Sequence, residues 1–162
     1  MELHKIVIRN SVKSRLHSPD GANSIGTANT SSTTVFTNNK LITTFKELVH
    51  FVNLVTCGRY FVYGCSNLRE LHIPAKVNRF GNGAFQNTQN LKKVYCYPPT
   101  APAYADSSIF SATNASSMGY NTRTAGVNEF HVPAGATGYE TGVYLSTLRD
   151  TIRCGFTVIY DL

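Results

Sequence analysis

Apolar residues in the middle of this chain recur with a fixed step. Leu54 to Leu71 lies over Val77 to Val94 at an offset of 23 residues, with Gly58 falling on Gly81 and Asn67-Leu68 on Asn90-Leu91. Each copy ends in a short run, Leu68 to Ile73 and Leu91 to Tyr95, that predicts a strand with one face covered. Pro74 closes the first strand, and Pro98, Pro99 and Pro102 end the second, because proline has no N–H to give to a ladder. A period in the twenties with an L-x-x-L-x-I core predicts a solenoid, in which each copy covers its neighbour's apolar face. Stacked repeats create extended surfaces, and such proteins usually bind rather than catalyse.

The flanking pattern predicts further elements. Phe45, Leu48, Val49 and Val52 stand at i, i+3, i+4 and i+7, the spacing of a short helix from Thr44 to Asn53 with Thr43 or Thr44 as its N-cap. Leu3 to Ile8 reads as a strand. From Ser18 to Lys40 the chain is nearly all Ser, Thr, Asn, Gly and Ala, with Val35-Phe36 its only strong apolar pair. Such a segment buries too little apolar surface to offset its ordering entropy. Residues 1–42 are therefore expected to form an extended arm, ordered only against a partner or a neighbouring copy, or else a flexible leader.

Residues 43–162 then form the repeat domain, with a polar loop insertion at 111–128. Glu129 to Val132, stopped by Pro133, reads as a strand, Tyr139 to Ile152 as a helix and Phe156 to Tyr160 as a last strand, together a helix–strand C-terminal cap. Only two copies are evident, whereas about three are needed for a continuous core. The flanking helix, the C-terminal cap or a neighbouring subunit is expected to supply the missing contacts.

Composition changes this picture in two ways. Only 15% of the 162 residues are charged, well under the usual ~25%, so Ser, Thr, Asn and Gly must make up much of the surface. The net charge of +6 comes from fifteen scattered Lys and Arg with no basic and aromatic interleaving, so no nucleic-acid partner is expected. One local exception is the N-terminus, where Lys5, Arg9, Lys13 and Arg15 oppose only Glu2 and make a basic arm suited to anchoring on an acidic partner. Met1 to Arg15 alternates polar and apolar residues instead of presenting a secretory leader, and no run approaches the ~20 apolar residues of a membrane span. The product is expected to be made in the cytoplasm, and to stay there or leave by lysis or inside an assembled particle.

Candidate chemistry is sparse. Cys57, Cys65, Cys96 and Cys154 have neither C-x-x-C spacing nor a nearby His pair, which argues against zinc. Cys57 and Cys65 fall on Phe80 and Thr88 of the next copy, marking small buried positions and free thiols. The chain has no H-E-x-x-H, no G-x-S-x-G, no phosphate loop and no dinucleotide fingerprint, and its nine Asp and Glu are widely separated. No enzyme activity and no cofactor are expected. His72 and His131 read as hydrogen-bonded surface histidines rather than catalytic ones.

Cys65-Ser66-Asn67-Leu68-x-x-Leu71-x-Ile73-Pro74, followed by Val77-x-x-Phe80-Gly81-x-x-Ala84-Phe85-x-Asn87, resembles the BspA-type bacterial leucine-rich repeats. That family comprises surface and secreted proteins of host-associated bacteria and also occurs in phage particles. Pro98-Pro99-Thr100-x-Pro102, Phe110, Val132-Pro133 and Tyr139-Glu140-Thr141 look like the ending common to such repeats, so the resemblance spans about Thr43 to Leu162. Thr88 replaces the family's usual Cys, and Tyr63-Gly64 stands where an Asn is expected.

The resemblance implies an α/β-type repeat, a short leucine-rich-repeat solenoid. In it Leu68, Leu71 and Ile73, with Leu91, Val94 and Cys96, point into the core while Phe85 and Ala84 close the opposite wall. Glu70 and His72 then lie beside Lys93 and Tyr95 on the outward strand face. With Tyr120 and Arg123 from the polar loop, these are the candidate binding residues, since outward aromatic and Arg groups are favoured at hot spots. The first expectation for function is a phage virion structural protein, in head decoration, fibre or tail, that displays the repeat domain and is anchored by the arm. A bacterial surface or secreted adhesin is the second, and a cytoplasmic protein-interaction scaffold the third. Expected partners are other subunits of an oligomeric assembly and a host-surface protein or glycan.

Overall fold

The computed structural model describes residues 24–25, 36–104, 128–139 and 156–162. Short runs with alternate residues buried form two sheets whose strands all pair in parallel. The four-stranded sheet contains β1 (Ser24–Ile25), β3 (Thr56–Cys57), β5 (Arg79–Phe80) and β7 (Ala103–Tyr104), in that order. The five-stranded sheet contains β2 (Thr44–Phe45), β4 (Glu70–Ile73), β6 (Lys93–Cys96), β8 (Asn128–Val132) and β9 (Phe156–Tyr160). From β1 to β8 the chain visits the two sheets alternately.

The offset of 23 residues is a pairing register. Thr56 pairs with Arg79 and Cys57 with Phe80 in one sheet, and Glu70 pairs with Lys93 through Ile73 with Cys96 in the other. Between β3 and β4 the backbones of the two repeats also bond directly. The Tyr60, Val62 and Gly64 N–H groups donate to the carbonyls of Asn82, Ala84 and Gln86 at 3.1, 2.8 and 2.8 Å.

One side chain repeats the same device. Asn67 Nδ2 donates to Lys40 O and Asn90 Nδ2 to Ser66 O, both at 2.8 Å, so each asparagine caps a carbonyl of the preceding repeat. Such bonds satisfy turn carbonyls that no ladder reaches.

The expected helix from Thr44 to Asn53 is absent. Thr44–Phe45 pairs with Glu70–Leu71 as β2, and a 3-10 helix, Lys46–His50, follows without a side-chain N-cap bond. Phe45 and Leu48 are buried, three residues apart as a 3-10 turn requires, whereas Val52 is 63% exposed. The apolar spacing was thus shared by an inward strand residue and one 3-10 turn, and sheet pairing decided between them.

A third copy lies where the sequence suggested an arm. The register of β2 on β4 places Ile42 at the position of Leu68 and Leu91, and Asn38 at that of Gly64 and Asn87. Asn38, Gly64 and Asn87 all take positive φ, at 57°, 68° and 60°. Asn and Gly are the residues that tolerate this left-handed conformation, so Gly64 stands in for the expected Asn without changing the turn. Phe36 is buried, and β1 pairs with β3. Where described, the polar segment contributes the strand β1 and a turn at 36–40 that carries the buried Phe36. The expected strand Leu3 to Ile8, the loop residues 111–127 and the helix beyond Tyr139 lie outside the described residues.

The core lies between the two sheets. Phe45, Leu71, Val94 and Phe130, matched in register, are fully buried, as are Leu68, Ile73, Leu91 and Cys96. Facing them, Ala84, Phe61 and Phe85 form the opposite wall, with Phe85 packed edge-on to Phe80 at 5.0 Å and to Phe61 at 6.3 Å. Burying each such side chain contributes roughly 1.5–3 kcal/mol before entropy is counted. Tyr139 seals the later repeats: it is buried and its hydroxyl donates to Pro98 O at 2.9 Å.

Candidate functional site: the outward face of the five-stranded sheet

Because Leu71, Ile73, Val94, Cys96, Phe130 and Val132 face inward, their neighbours face out. In register this gives two rows across the sheet. One runs Glu70, Lys93, Glu129, and the other His72, Tyr95, His131.

The second row is a stack of rings. His72 lies 4.4 Å from Tyr95 at an interplanar angle of 22°, and Tyr95 lies 4.6 Å from His131 at 11°. Parallel pairing sets this geometry by holding adjacent strands ~4.8 Å apart, close to ring-stacking distance. Each ring contact adds about 0.5–1.5 kcal/mol beyond its buried area. Tyr97 extends the group, with its hydroxyl 3.2 Å from His72 Nδ1.

The first row contains the same charge unit twice. Lys46 Nζ is 3.1 Å from Glu70 Oε1, which is also 2.8 Å from His72 Nε2. One unit further on, Lys93 Nζ is 2.8 Å from Glu129 Oε2, which is 3.1 Å from His131 Nε2. His131 Nδ1 meets Asp161 at 2.8 Å, tying the end of β9 to the stack. Partial burial pushes the Glu70 carboxyl up, but the hydrogen bonds from His72 and Lys46 outweigh it and hold Glu70 below its ordinary range. Hydrogen bonds from Lys93 and His131 hold Glu129 low, and the bond to Glu129 raises Lys93 in return. Burial raises the Tyr97 phenol.

This arrangement suits recognition of another surface. Both nitrogens of each stacked histidine have polar partners, which fixes the rings without offering a nitrogen to a metal or a substrate. Among the described residues, no group of three or more His, Cys, Asp or Glu is placed to hold a metal ion. Cys57, Cys65 and Cys96 are free and buried. Burial pushes the Cys65 thiol up to about 11, partly offset by Asn39 and Lys40, and the Cys96 thiol up to about 12, partly offset by Tyr139. Thiols in such surroundings pack and do not react.

Glu70, His72, Lys93 and Tyr95 thus come together on one face. Tyr120, Arg123, Lys5, Arg9, Lys13 and Arg15 lie outside the described residues. Sequence reasoning missed Lys46, Tyr97, Glu129 and Asp161, and read His131 as a hydrogen-bonded surface histidine without placing it beside Tyr95. A signal for Glu129 and His131 was present: Glu70-Leu71-His72-Ile73-Pro74 recurs as Glu129-Phe130-His131-Val132-Pro133. The period concealed it, because Glu129 follows its register partner Lys93 by 36 residues instead of 23.

Among the described residues, no helix is long and apolar enough to cross a membrane. No curated protein and no solved structure matches the chain. A family model for the BspA type leucine rich repeat region matches residues 15–130 in six copies. It takes in β1 to β7, the third copy before Phe45 and the start of β8, so the two copies evident from the sequence were part of a longer array. The parallel sheets, the repeat register and this match agree: the chain belongs to the BspA-type leucine-rich-repeat family.

Proposed function

We propose that the protein is a non-enzymatic binding and assembly module, a short solenoid that displays the outward face of its five-stranded sheet on a phage particle. One observation carries the reading: the half-buried stack of His72, Tyr95 and His131, braced by two Lys–Glu–His units. A rigid aromatic patch whose polar groups are already oriented loses little entropy on contact, which is what docking surfaces need. Leucine-rich repeats typically serve as interaction modules, and the absence of a catalytic arrangement from the sequence fits that use. Residues 1–42 keep an anchoring role in this proposal: Ser24–Ile25 pairs with Thr56–Cys57, and the earlier part carries Lys5, Arg9, Lys13 and Arg15. The resemblance to repeats found in phage particles supports the virion location, and other subunits of the assembly are the partners.

The family's surface proteins favour a second reading, a bacterial adhesin whose same face meets a host protein or glycan. Mass spectrometry of gradient-purified particles and of the host's surface fraction separates the two. Peptides of this chain in particles support the virion reading, and peptides in the surface fraction alone replace it with the adhesin. The binding role of the face is tested by Lys93→Ala with Tyr95→Ala, which should remove the protein from its particle or surface while leaving it folded. Undiminished association of that double variant would exclude the face.

A further inference from the structure

The two sheets are built from strands in pairs. Along the chain each strand of the four-stranded sheet follows one of the five-stranded sheet, β3 after β2, β5 after β4 and β7 after β6. Among the described residues β1 alone lacks such a predecessor, and no strand lies beyond β2 at its end of the five-stranded sheet. The two gaps adjoin, since β1 is the neighbour of β3 and β2 is the strand that leads into β3. Leu41, Thr43 and Thr44 are exposed at this edge. An edge strand presents a row of N–H and C=O groups that can template another strand.

Residues 15–18 have the sequence that fits this edge. Arg15-Leu16-His17-Ser18-Pro19 keeps the order of Glu70-Leu71-His72-Ile73-Pro74 and Glu129-Phe130-His131-Val132-Pro133: an apolar residue, a histidine, one further residue, and the proline that stops the strand. The likeness continues, with Asn23 and Gly26 at the positions of Asn78 and Gly81. The described strands fix the same alignment independently. Ser24 pairs with Thr56 and Thr56 with Arg79, so Ser24 holds the register position of Arg79. Arg15 precedes Ser24 by nine residues, as Glu70 precedes Arg79. The family match also begins at residue 15.

We infer that residues 15–18 pair in parallel with the open edge of β2 as a sixth strand of that sheet, and that His17 thereby joins the outward row of His72, Tyr95 and His131. The register sets Arg15 beside Thr44 and Leu16 beside Phe45. Alternation of faces then turns Leu16 toward the core, with Arg15 and His17 outward. The occupant is the chain's own segment and not a neighbour's, because residues 19–23 form a link of the same five residues that carries Ile73 to Arg79. Arg15 then belongs to the sheet, and Lys5, Arg9 and Lys13 remain as the basic segment beyond it. The pairing holds whatever the outward face binds, so it stands apart from the proposed function.

The test places cysteines in the full chain. Arg15→Cys, Leu16→Cys and His17→Cys are alkylated with iodoacetamide under native conditions and followed by mass spectrometry, with the native chain giving the background of its own thiols. Leu16→Cys should react at least about tenfold more slowly than the other two, because burial suppresses the reactive thiolate. Arg15→Cys with Thr44→Cys should close an intrachain disulfide on mild oxidation, since paired strands stand ~4.8 Å apart and a disulfide spans Cα atoms about 4.4–6.8 Å apart. Lys13→Cys with Thr44→Cys, two residues out of register, should not. Hydrogen exchange on the unsubstituted chain needs no variant to fold, and the amides of residues 15–18 should exchange about tenfold or more slowly than those of residues 1–13.

Equal alkylation at 15, 16 and 17, a disulfide formed as readily from Lys13→Cys, a disulfide that joins two chains, or exchange at 15–18 as fast as at 1–13 overturns the inference.

Discussion

Neighbouring repeats meet by different means on the two sides of the molecule. From β3 to β4 they meet through backbone, with N–H groups of one repeat donating to carbonyls of the next and Gly81 N–H donating to Cys57 O at 2.8 Å. At β4, β6 and β8 the backbone ladder is joined on the outward face by side-chain contact, as stacked rings and shared carboxylates. Backbone contact restricts what a residue can be, because a side chain would occupy the same space. Side-chain contact constrains only complementarity, so that surface can acquire a specific site while the repeat persists.

Phe85→Ala breaks the comparison most severely, because Phe85 belongs to the core that both sheets share. Removing its ring from among Phe61 and Phe80 should cost about 3–5 kcal/mol. For a chain of this size that lowers the melting temperature by roughly 10 °C, and both sheets should melt together. Separate transitions in calorimetry would show instead that the sheets are independent.

Gly81→Ala isolates the backbone side. A Cβ at Gly81 would lie 2.7 Å from Gly58 C and 3.0 Å from Arg59 Cα, and neither backbone can swing aside as a flexible side chain does. The expected cost is about 1–3 kcal/mol, measured by denaturant titration, with binding by the ring face unaltered at temperatures where the variant is folded. An unchanged midpoint would mean that the two repeats can separate without loss.

These positions also show what the sequence could and could not disclose. Inward residues were legible because a short strand exposes its period of two directly, as at Leu71 and Ile73 or Val94 and Cys96. The period of 23 was legible only where neither loop nor substitution disturbed it. The copy around Asn38 was hidden because its offset is 26 and its left-handed position bears Asn where the next copy bears Gly. At Phe45 and Leu48 the local spacing fitted a helix equally well, and only pairing with β4 excluded it. The ring stack could not be read at all from spacing alone, because it depends on which strands become neighbours across insertions.

A smaller effect sharpens the account of that hidden copy. Gly64 has a φ of 68°, and Asn38 and Asn87 hold the same conformation in the adjacent copies. Gly64→Val should cost about 1–3 kcal/mol, since a β-branched residue is strained there. Gly64→Asn should cost less, its remaining penalty being displacement of the Asn38 side chain. Equal losses for the two substitutions would indicate that crowding by Asn38, and not backbone conformation, selects glycine.

The smallest expected effect on stability belongs to the face, and its sign is set by linkage. Glu70 and Glu129 titrate below their ordinary value when folded, so their contribution is present above the unfolded carboxylate pKa and is lost as pH falls through the folded one. Lys93 titrates above its ordinary value when folded, so its contribution is complete below the unfolded lysine pKa and is lost as pH rises through the folded one. Both are therefore present across the neutral range and fade at the acid and alkaline ends respectively. Melting curves across pH for the native chain and for Glu70→Gln with Glu129→Gln should differ slightly at neutral pH and converge in acid. The difference should be small because exposed ion pairs contribute little. A face that matters little to the fold yet holds its rings and charges in fixed register is constrained by something other than stability. Failure of the curves to converge would place Glu70 and Glu129 among the structural residues and remove that contrast between the two sides.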